Sequence, residues 1–366
     1  MTHDGRGRGD GPEDGDGRTT VVISSPEELI ASIPAMLGFP PGAGSVVVVC
    51  GRTSDGRQGP VVRMDVDGLL DGSAAYSAGD HDDPDVEHDL PAATIGEGPA
   101  RGLAQFCSRE GVTAVHLVVV HEDCVDGYSA GLRAEDAAAA FEYWLGLAGT
   151  RVVTAYGVPE FAAGAPWVDL FGMVRGVQLD PGTTEIAAVH AFDGRVQAGS
   201  RGEIERLYLA RDADACDRDP GAGDADSQAG SLPVESGVDA HDRAAERLEA
   251  GEELDDDELA EVGRALLDIG VRDEIYRRLA QRGLVDDDGR RLLWWALARR
   301  RPGRERSVSL MMLGAAAYFS GSGVHARSAL EAAVGADERN SLARLLLHGL
   351  ENGLAPERLR RVAAAA

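Results

Sequence analysis

The 366-residue chain contains no lysine; all 36 of its basic residues are arginine. That absence removes whole classes of chemistry. A phosphate-binding P-loop needs its lysine on the phosphates, a pyridoxal enzyme needs one for its Schiff base, and a protein kinase needs the lysine of its strand. Cysteine is nearly as scarce. Cys50, Cys107, Cys124 and Cys216 are scattered and form no Cys-x-x-Cys pair. The expectation is reduced thiols in a cytoplasmic protein, not a disulfide framework or a zinc knuckle. No apolar run reaches the roughly 18 residues of a membrane-spanning helix. The Asp/Gly/Arg-rich start also lacks the apolar core of a secretory signal.

What is abundant is acid. The 62 Asp and Glu give a formal net charge of −26, which opposes sequence-independent binding to nucleic acid because phosphates are repelled. Hydrophobic residues make up 43%, enough for a sizeable core, and the length suits two domains.

Residues 1–18 are polar and glycine-rich and read as a disordered tail. An α/β domain is expected over 19–211. Thr19–Ser24 reads as a short strand. Ser25, Pro26 and Glu28 open a helix with an N-cap, a first-turn proline and a capping box. Pro34 is expected to distort or shorten that helix before a turn over Gly38–Gly42. Ser45–Cys50 is an apolar β-branched run typical of a buried central strand, and Val61–Val66 supplies an alternating partner. Residues 71–96 are acidic and loop-like. Helices are expected at Gly98–Glu110 and Leu132–Ala148, with strands at Val112–Val120 and Arg151–Val158. This alternation predicts a layered α/β (or α+β) domain with a mixed sheet. No element is assigned over 160–195, and Ser200–Glu203 repeats the capping-box pattern before a helix running to about Arg211.

Composition then changes. Residues 212–261 hold 18 acids and three arginines, and 212–255 is expected to be an acidic disordered linker. From 256 to 366 every segment has helical periodicity, with Leu259, Val262, Leu266 and Ile269 on one face. This all-α domain is net positive, with 18 Arg against 12 acids over 262–366. Ala317, Gly321, Ala326, Leu330 and Ala333 match the small and apolar packing positions of one tetratricopeptide unit; an ordinary helical hairpin satisfies the same spacing.

Two stretches carry a family resemblance. One is Ser25-Pro26-Glu27-Glu28-Leu29-Ile30 with Ile33-Pro34-Ala35-Met36-Leu37-Gly38-Phe39-Pro40-Pro41 and Ser45-Val46-Val47-Val48. The other is Gly321–Ala333, followed by Asp337 and Asn340–Leu346. Together they resemble the actinobacterial domain-of-unknown-function family numbered four-one-nine-two. The resemblance implies an actinobacterial cytoplasmic protein with an α/β half and a helical half, and it implies no activity. Gly157–Gly172, with Trp167, corresponds to a tryptophan-containing stretch in relatives.

Gly127-Tyr128-Ser129-Ala130-Gly131 matches Gly-x-Ser-x-Gly, and Asp169 and His190 follow in hydrolase order. A nucleophile elbow needs its serine directly after a strand, yet the strand here ends near Val120. His121-Glu122-Asp123-Cys124 is the better candidate, because it lies at the carboxyl end of a buried strand, where open α/β sheets bind ligands. Imidazole, carboxylates and thiol there suit acid–base chemistry or metal binding, although consecutive side chains point apart. The catalytic candidates are therefore His121, Glu122, Asp123 and Ser129. No metal site is assigned. His81 and His88, among Asp82, Asp83, Asp85, Glu87 and Asp89, fit no zinc or EF-hand spacing, and Gly42–Ser45 precedes a strand and reads as a turn. Trp294-Trp295 and Met311-Met312 are expected to pack as core, or to place the first residue inward and the second in a groove. Arg299, Arg300, Arg301, Arg304 and Arg306 form a basic cluster open to RNA, to an acidic partner or to the chain's own linker, with RNA last because no aromatic residues interleave the arginines.

The expectation that follows is a non-catalytic interaction or regulatory module, with a protein partner at the helical domain, no membrane and no nucleic acid. The rival is a hydrolase or metal-assisted enzyme around His121. No cofactor and no oligomeric state follow from the residues.

Overall fold

The computed structural model describes residues 22–51, 59–66, 97–122, 124–125, 128–192, 197–209, 233–282 and 288–365. The chain divides into two compact units. One comprises residues up to Met36 and Pro41–Gln197; the other comprises Leu37–Pro40 and Ala198–Ala366.

The first unit is α/β. Helix α1 (Pro26–Leu37) is followed by β1 (Ser45–Cys50), β2 (Val61–Asp65), α2 (Glu97–Glu110), β3 (Ala114–Val120), α3 (Tyr128–Leu147), β4 (Arg151–Val158), β5 (Pro166–Asp169), β6 (Arg175–Val177) and α4 (Glu185–Phe192). The six strands form one mixed sheet in the order β2-β1-β3-β4-β5-β6. Among the described strands only β3 and β4 pair in parallel; β1 runs antiparallel to both β2 and β3. Parallel neighbours need a crossover, and α3 supplies it. Val46, Val48 and Cys50 of β1 and Val115, Leu117 and Val119 of β3 point to one face. There they form a core with Leu103 and Cys107 of α2 and Phe141 and Leu145 of α3. Val47, Val118 and Val120 point to the other face and are equally buried, which explains the unbroken apolar runs in β1 and β3.

The start of the chain differs from expectation. Val22–Ser24 forms no strand, and Val22 is 73% exposed. Ser25 caps α1 as its position suggested, and Ser24 joins the cap through its amide. The Ser24 amide donates to Glu28 Oε2 (2.9 Å), while the Glu28 amide donates to Ser25 Oγ (3.2 Å). Pro34 does not shorten α1, which continues to Leu37. Burial of Leu29, Ile30 and Ile33 outweighs the single backbone hydrogen bond that proline removes. The span 160–195, unassigned in the sequence, holds β5, β6, a 3₁₀ turn at Pro181–Thr183 and α4. Strands of four and three residues are too short to show a period.

The second unit is helical: α5 (Arg201–Leu209), α6 (Val234–Glu249), α7 (Asp256–Ala265), α8 (Ile269–Arg282), α9 (Asp288–Arg300), α10 (Gly303–Phe319), α11 (Gly323–Ala336), α12 (Ser341–Glu351) and α13 (Pro356–Ala365). Its limits correct two expectations. Helix α5, placed by sequence in the α/β domain, belongs here: Ile204 and Tyr208 are buried in the helical core. Helix α6 occupies much of the span 212–255 expected to be a linker. Val238, His241 and Ala245 recur at helical spacing and are buried, so an acidic composition concealed an amphipathic stripe. The rest of that span up to 232 lies outside the described residues, as do the tail at 1–18 and the acidic segment at 71–96. Phe39, from the turn that carries the family resemblance, is also part of the helical core, and the Ala198 amide donates to Gly38 O at 2.8 Å.

The hairpin α10–α11 forms where the small-residue spacing placed it. Gly321 takes φ +79° between the helices, a region that costs glycine nothing. Ala326, Ala329, Leu330 and Ala333 are fully buried. Gly314 sets the separation, because a Cβ there would lie 2.7 Å from Leu330 Cγ. Met311 and Met312 are both core, so neither opens on a groove. No helix among the described residues is long and apolar enough to cross a membrane.

Candidate functional site

The strand end singled out by sequence is a tight turn. The His121 amide donates to Val158 O (3.0 Å), tying the ends of β3 and β4, and the Cys124 amide donates back to His121 O (3.0 Å). Within that turn the side chains part. Glu122 is exposed and His121 half-buried. Cys124 is buried, with its sulfur 4.0 Å from Val119 O. A Cβ placed on Gly157 would lie 3.2 Å from that sulfur, so the thiol fills the space that glycine leaves. The Glu122 side chain thus lies outward and the Cys124 thiol inward. Asp123 lies outside the described residues.

Ser129 sits in the first turn of α3, and β3 has ended at Val120. The strand–turn–serine geometry of a nucleophile elbow is therefore not formed; the Ser129 side chain lies outside the described residues. The two later residues in hydrolase order bond to backbone close by. Asp169 Oδ1 accepts from the Phe171 amide at 3.0 Å, and His190 Nδ1 lies 3.0 Å from Ala35 O.

Sequence reading missed two polar contacts on the sheet. His116 Nδ1 lies 2.8 Å from Thr154 Oγ1, because β3 and β4 pair these residues side by side. Burial pulls the His116 imidazole below its ordinary value, which keeps it neutral. Cys50 and Cys107 meet in the core. Their hydrogen bond, reinforced by burial, holds the Cys50 thiol protonated far above its ordinary value. Strand register and helix docking create both contacts, and neither leaves a mark in local sequence.

The basic cluster of the helical unit is engaged within it. Arg306 is buried; its guanidinium donates to Ala298 O and, at 2.8 Å, to Tyr208 O. Arg300 donates to Leu254 O (3.0 Å) and pairs with Asp256. Arg301 pairs with Glu305, and Arg299 lies over the Trp295 ring, 5.6 Å from its centroid. Trp295 in turn stacks on Tyr208 at 5.0 Å, so it does not line an open groove.

An open groove exists instead on the α/β unit. It measures about 420 Å³ and runs between α2 and α3. Arg101, Gln105, Ser108 and Arg109 of α2 form one wall and Trp144 and Leu147 of α3 the other, with Ala104 and Ala148 between. The α2 residues recur at i, i+4, i+7 and i+8, one helical face. The Arg101 guanidinium lies 5.9 Å from the Trp144 ring centroid. The Trp144 indole nitrogen is shielded from solvent and has no hydrogen-bond acceptor among the described residues, while Leu147 is 66% exposed. Buried donors are normally satisfied, so this indole nitrogen is unusual among the polar atoms of the α/β unit.

The model of the family described as Domain of unknown function (DUF4192) matches residues 26–357. The chain belongs to that family. The matched span runs from α1 into α13, so both units lie within the DUF4192 region. It contains the groove, the Gly38–Pro40 turn and the α10–α11 hairpin alike. No curated protein and no solved structure matches the chain. DUF4192 membership therefore gives the fold a family without giving it a reaction. Among the described residues no three His, Cys, Asp or Glu side chains are grouped to hold a metal ion.

Proposed function

We propose that this DUF4192 protein is a non-catalytic interaction module, cytoplasmic, acting through a protein partner. One observation carries the reading: the α2–α3 groove combines exposed apolar surface, two guanidiniums and an unsatisfied indole N–H, a combination suited to holding a ligand and poorly suited to transforming one. The outward Glu122 and the inward Cys124 of the His121 turn support it further, since acid–base catalysis needs groups within about 3 Å of a common reacting atom. The buried, unbridged thiols of Cys50, Cys107 and Cys124 support a reducing compartment. A partner seated on the helical unit is the second form of this reading, although the internal pairing of Arg300, Arg301 and Arg306 turns the choice toward the groove.

The test is chemical cross-linking of the full chain in its native cells, followed by mass spectrometry of the linked peptides. A partner linked reproducibly and in stoichiometric amount is expected. Turnover of an ester, amide or phosphoester substrate that disappears in His121→Ala or Ser129→Ala would instead establish the enzyme.

A further inference from the structure

We propose that Cys50 and Cys107 form a modification site, a buried dithiol that hydrogen peroxide converts reversibly into a disulfide tying α2 to the sheet.

Two short constraints bring these residues together. Cys50 is the last residue of β1, in register with Val115 of β3, and points to the core face. Cys107 lies in the last turn of α2, four residues after the buried Leu103 and on the same stripe. The Val112 amide donates to Cys107 O at 2.9 Å and Gly111 takes φ +68°, so the chain turns straight back from Cys107 into β3. That turn sets Cys107 over the start of β3, beside Cys50. Gly59 closes another flank, where a Cβ would lie 2.6 Å from Cys50 Cβ. Both cysteines are fully buried and unbridged, and one hydrogen bond joins their sulfurs. Cys124 packs beyond the far end of β3, against Gly157, so it does not compete for either.

Of the two, Cys107 is the nucleophile. The hydrogen bond from Cys50, then that from Thr150, hold its thiol below the ordinary value against the effect of burial. The same sulfur contact and burial push Cys50 up. Thr150 Oγ1 also donates to Val112 O at 2.8 Å, so Cys50 is the steadier donor. Thiolates, not thiols, react with peroxide.

The Cys107 thiolate attacks one peroxide oxygen. The O–O bond breaks, and the departing hydroxide takes up a proton to become water, leaving a sulfenic acid on Cys107. The Cys50 sulfur then attacks the Cys107 sulfur and gives its proton to the leaving hydroxyl. The S–O bond breaks, the S–S bond forms and a second water departs. In all, two thiols lose two electrons and two protons, and one peroxide becomes two waters. Because both sulfurs are shielded, the end of α2 must open locally before peroxide enters, so the reaction is slower than at an exposed thiol. The bond pins the last turns of α2, which also carry the groove-lining Gln105 and Ser108.

The test treats the reduced full chain with hydrogen peroxide, alkylates the remaining thiols and reads the digest by mass spectrometry. A Cys50–Cys107 linked peptide is expected within one molecule, lighter by two hydrogens and lost after dithiothreitol. The oxidised chain should melt roughly 5–10 °C higher, because the bond removes freedom from a loop of about 57 residues in the unfolded chain. Cys50→Ser should leave a sulfenic acid on Cys107 that dimedone traps, without the rise in melting temperature. Cys107→Ser should show neither. Melts of the reduced variants confirm folding, and the unsubstituted chain's peptide map decides the question without them.

Cys50 and Cys107 that stay fully alkylated after prolonged peroxide overturn the proposal. So does a link that joins either residue to Cys124, to Cys216 or to a second chain. A link that forms only in denaturant overturns it as well, since the native fold would then have no part in pairing the sulfurs.

Discussion

The indole nitrogen of Trp294 donates to Nε2 of His241 at 3.0 Å, and both side chains are fully buried between α9 and α6. The acceptor role of Nε2 fixes the tautomer: the ring proton sits on Nδ1, which faces Asp242 Oδ1 at 3.5 Å. Trp294→Phe keeps most of the packing and strands Nε2 without its donor. It should cost about 1–3 kcal/mol, read as a lower denaturant midpoint at unchanged slope. An unchanged midpoint would show that the contact contributes nothing net.

Asp242 links that buried pair to the surface. Burial pushes its carboxyl up, but hydrogen bonds from His241 and Arg290 prevail and hold it well below the usual carboxylate range. Arg290 contacts it at 2.8 Å and Arg278 at 3.1 Å. A depressed folded-state value means the stabilisation is present above the unfolded carboxylate value near about 4. It is lost as pH falls through the folded value. Chemical denaturation from pH 5 to 2 should therefore show a loss of stability that is smaller in Asp242→Asn. Parallel curves for the two proteins would contradict this assignment.

Arg306 holds α5 in the helical unit. Its guanidinium reaches Ala298 O and the carbonyls of Tyr208 and Leu209. Lysine offers a compact point charge and cannot span these acceptors as the planar fork does. Arg306→Lys should cost about 2–3 kcal/mol and raise hydrogen exchange in Arg201–Leu209 before other helices are affected. Uniform exchange across the unit would disprove the local role.

Two glycines predict opposite outcomes. On α9, a Cβ at Gly289 would lie 2.4 Å from the backbone oxygen of Ala245 on α6. Gly289→Ala must force the helices apart and should cost about 2–3 kcal/mol. On α2, Gly102 has nothing within 4 Å of its Cβ position. Gly102→Ala should stabilise by about 0.5–1 kcal/mol, because alanine leaves fewer unfolded conformations to lose. Melting temperatures of the two variants should move in opposite directions.

Where local chemistry was strong, sequence and structure agree. The valine-rich β1, the strand ending at Val120, the capped start of α1 and the hairpin broken at Gly321 all lie where their residues placed them. Short elements were illegible, since the three residues of β6 hold less than two periods of a strand. Helix α6 was concealed because its acids dominate the composition while its buried residues recur only every third or fourth position. The candidate site divided in the same way. His121 and Glu122 were legible as chemically capable residues at a strand end. Whether they converge depends on the turn that sends Cys124 inward and Glu122 outward.

By itself, the sequence determined the lysine-free chemistry, the mixed α/β and helical halves and the family. These follow from composition and from periodicities set by neighbouring residues. Only the tertiary structure decided that Arg306 is an internal tie, that Phe39 and α5 belong to the helical core, and that Arg101 and Trp144 share a groove. Such pairings depend on which helix docks on which face. That choice is made by packing among residues tens to hundreds of positions apart, and no local pattern encodes it.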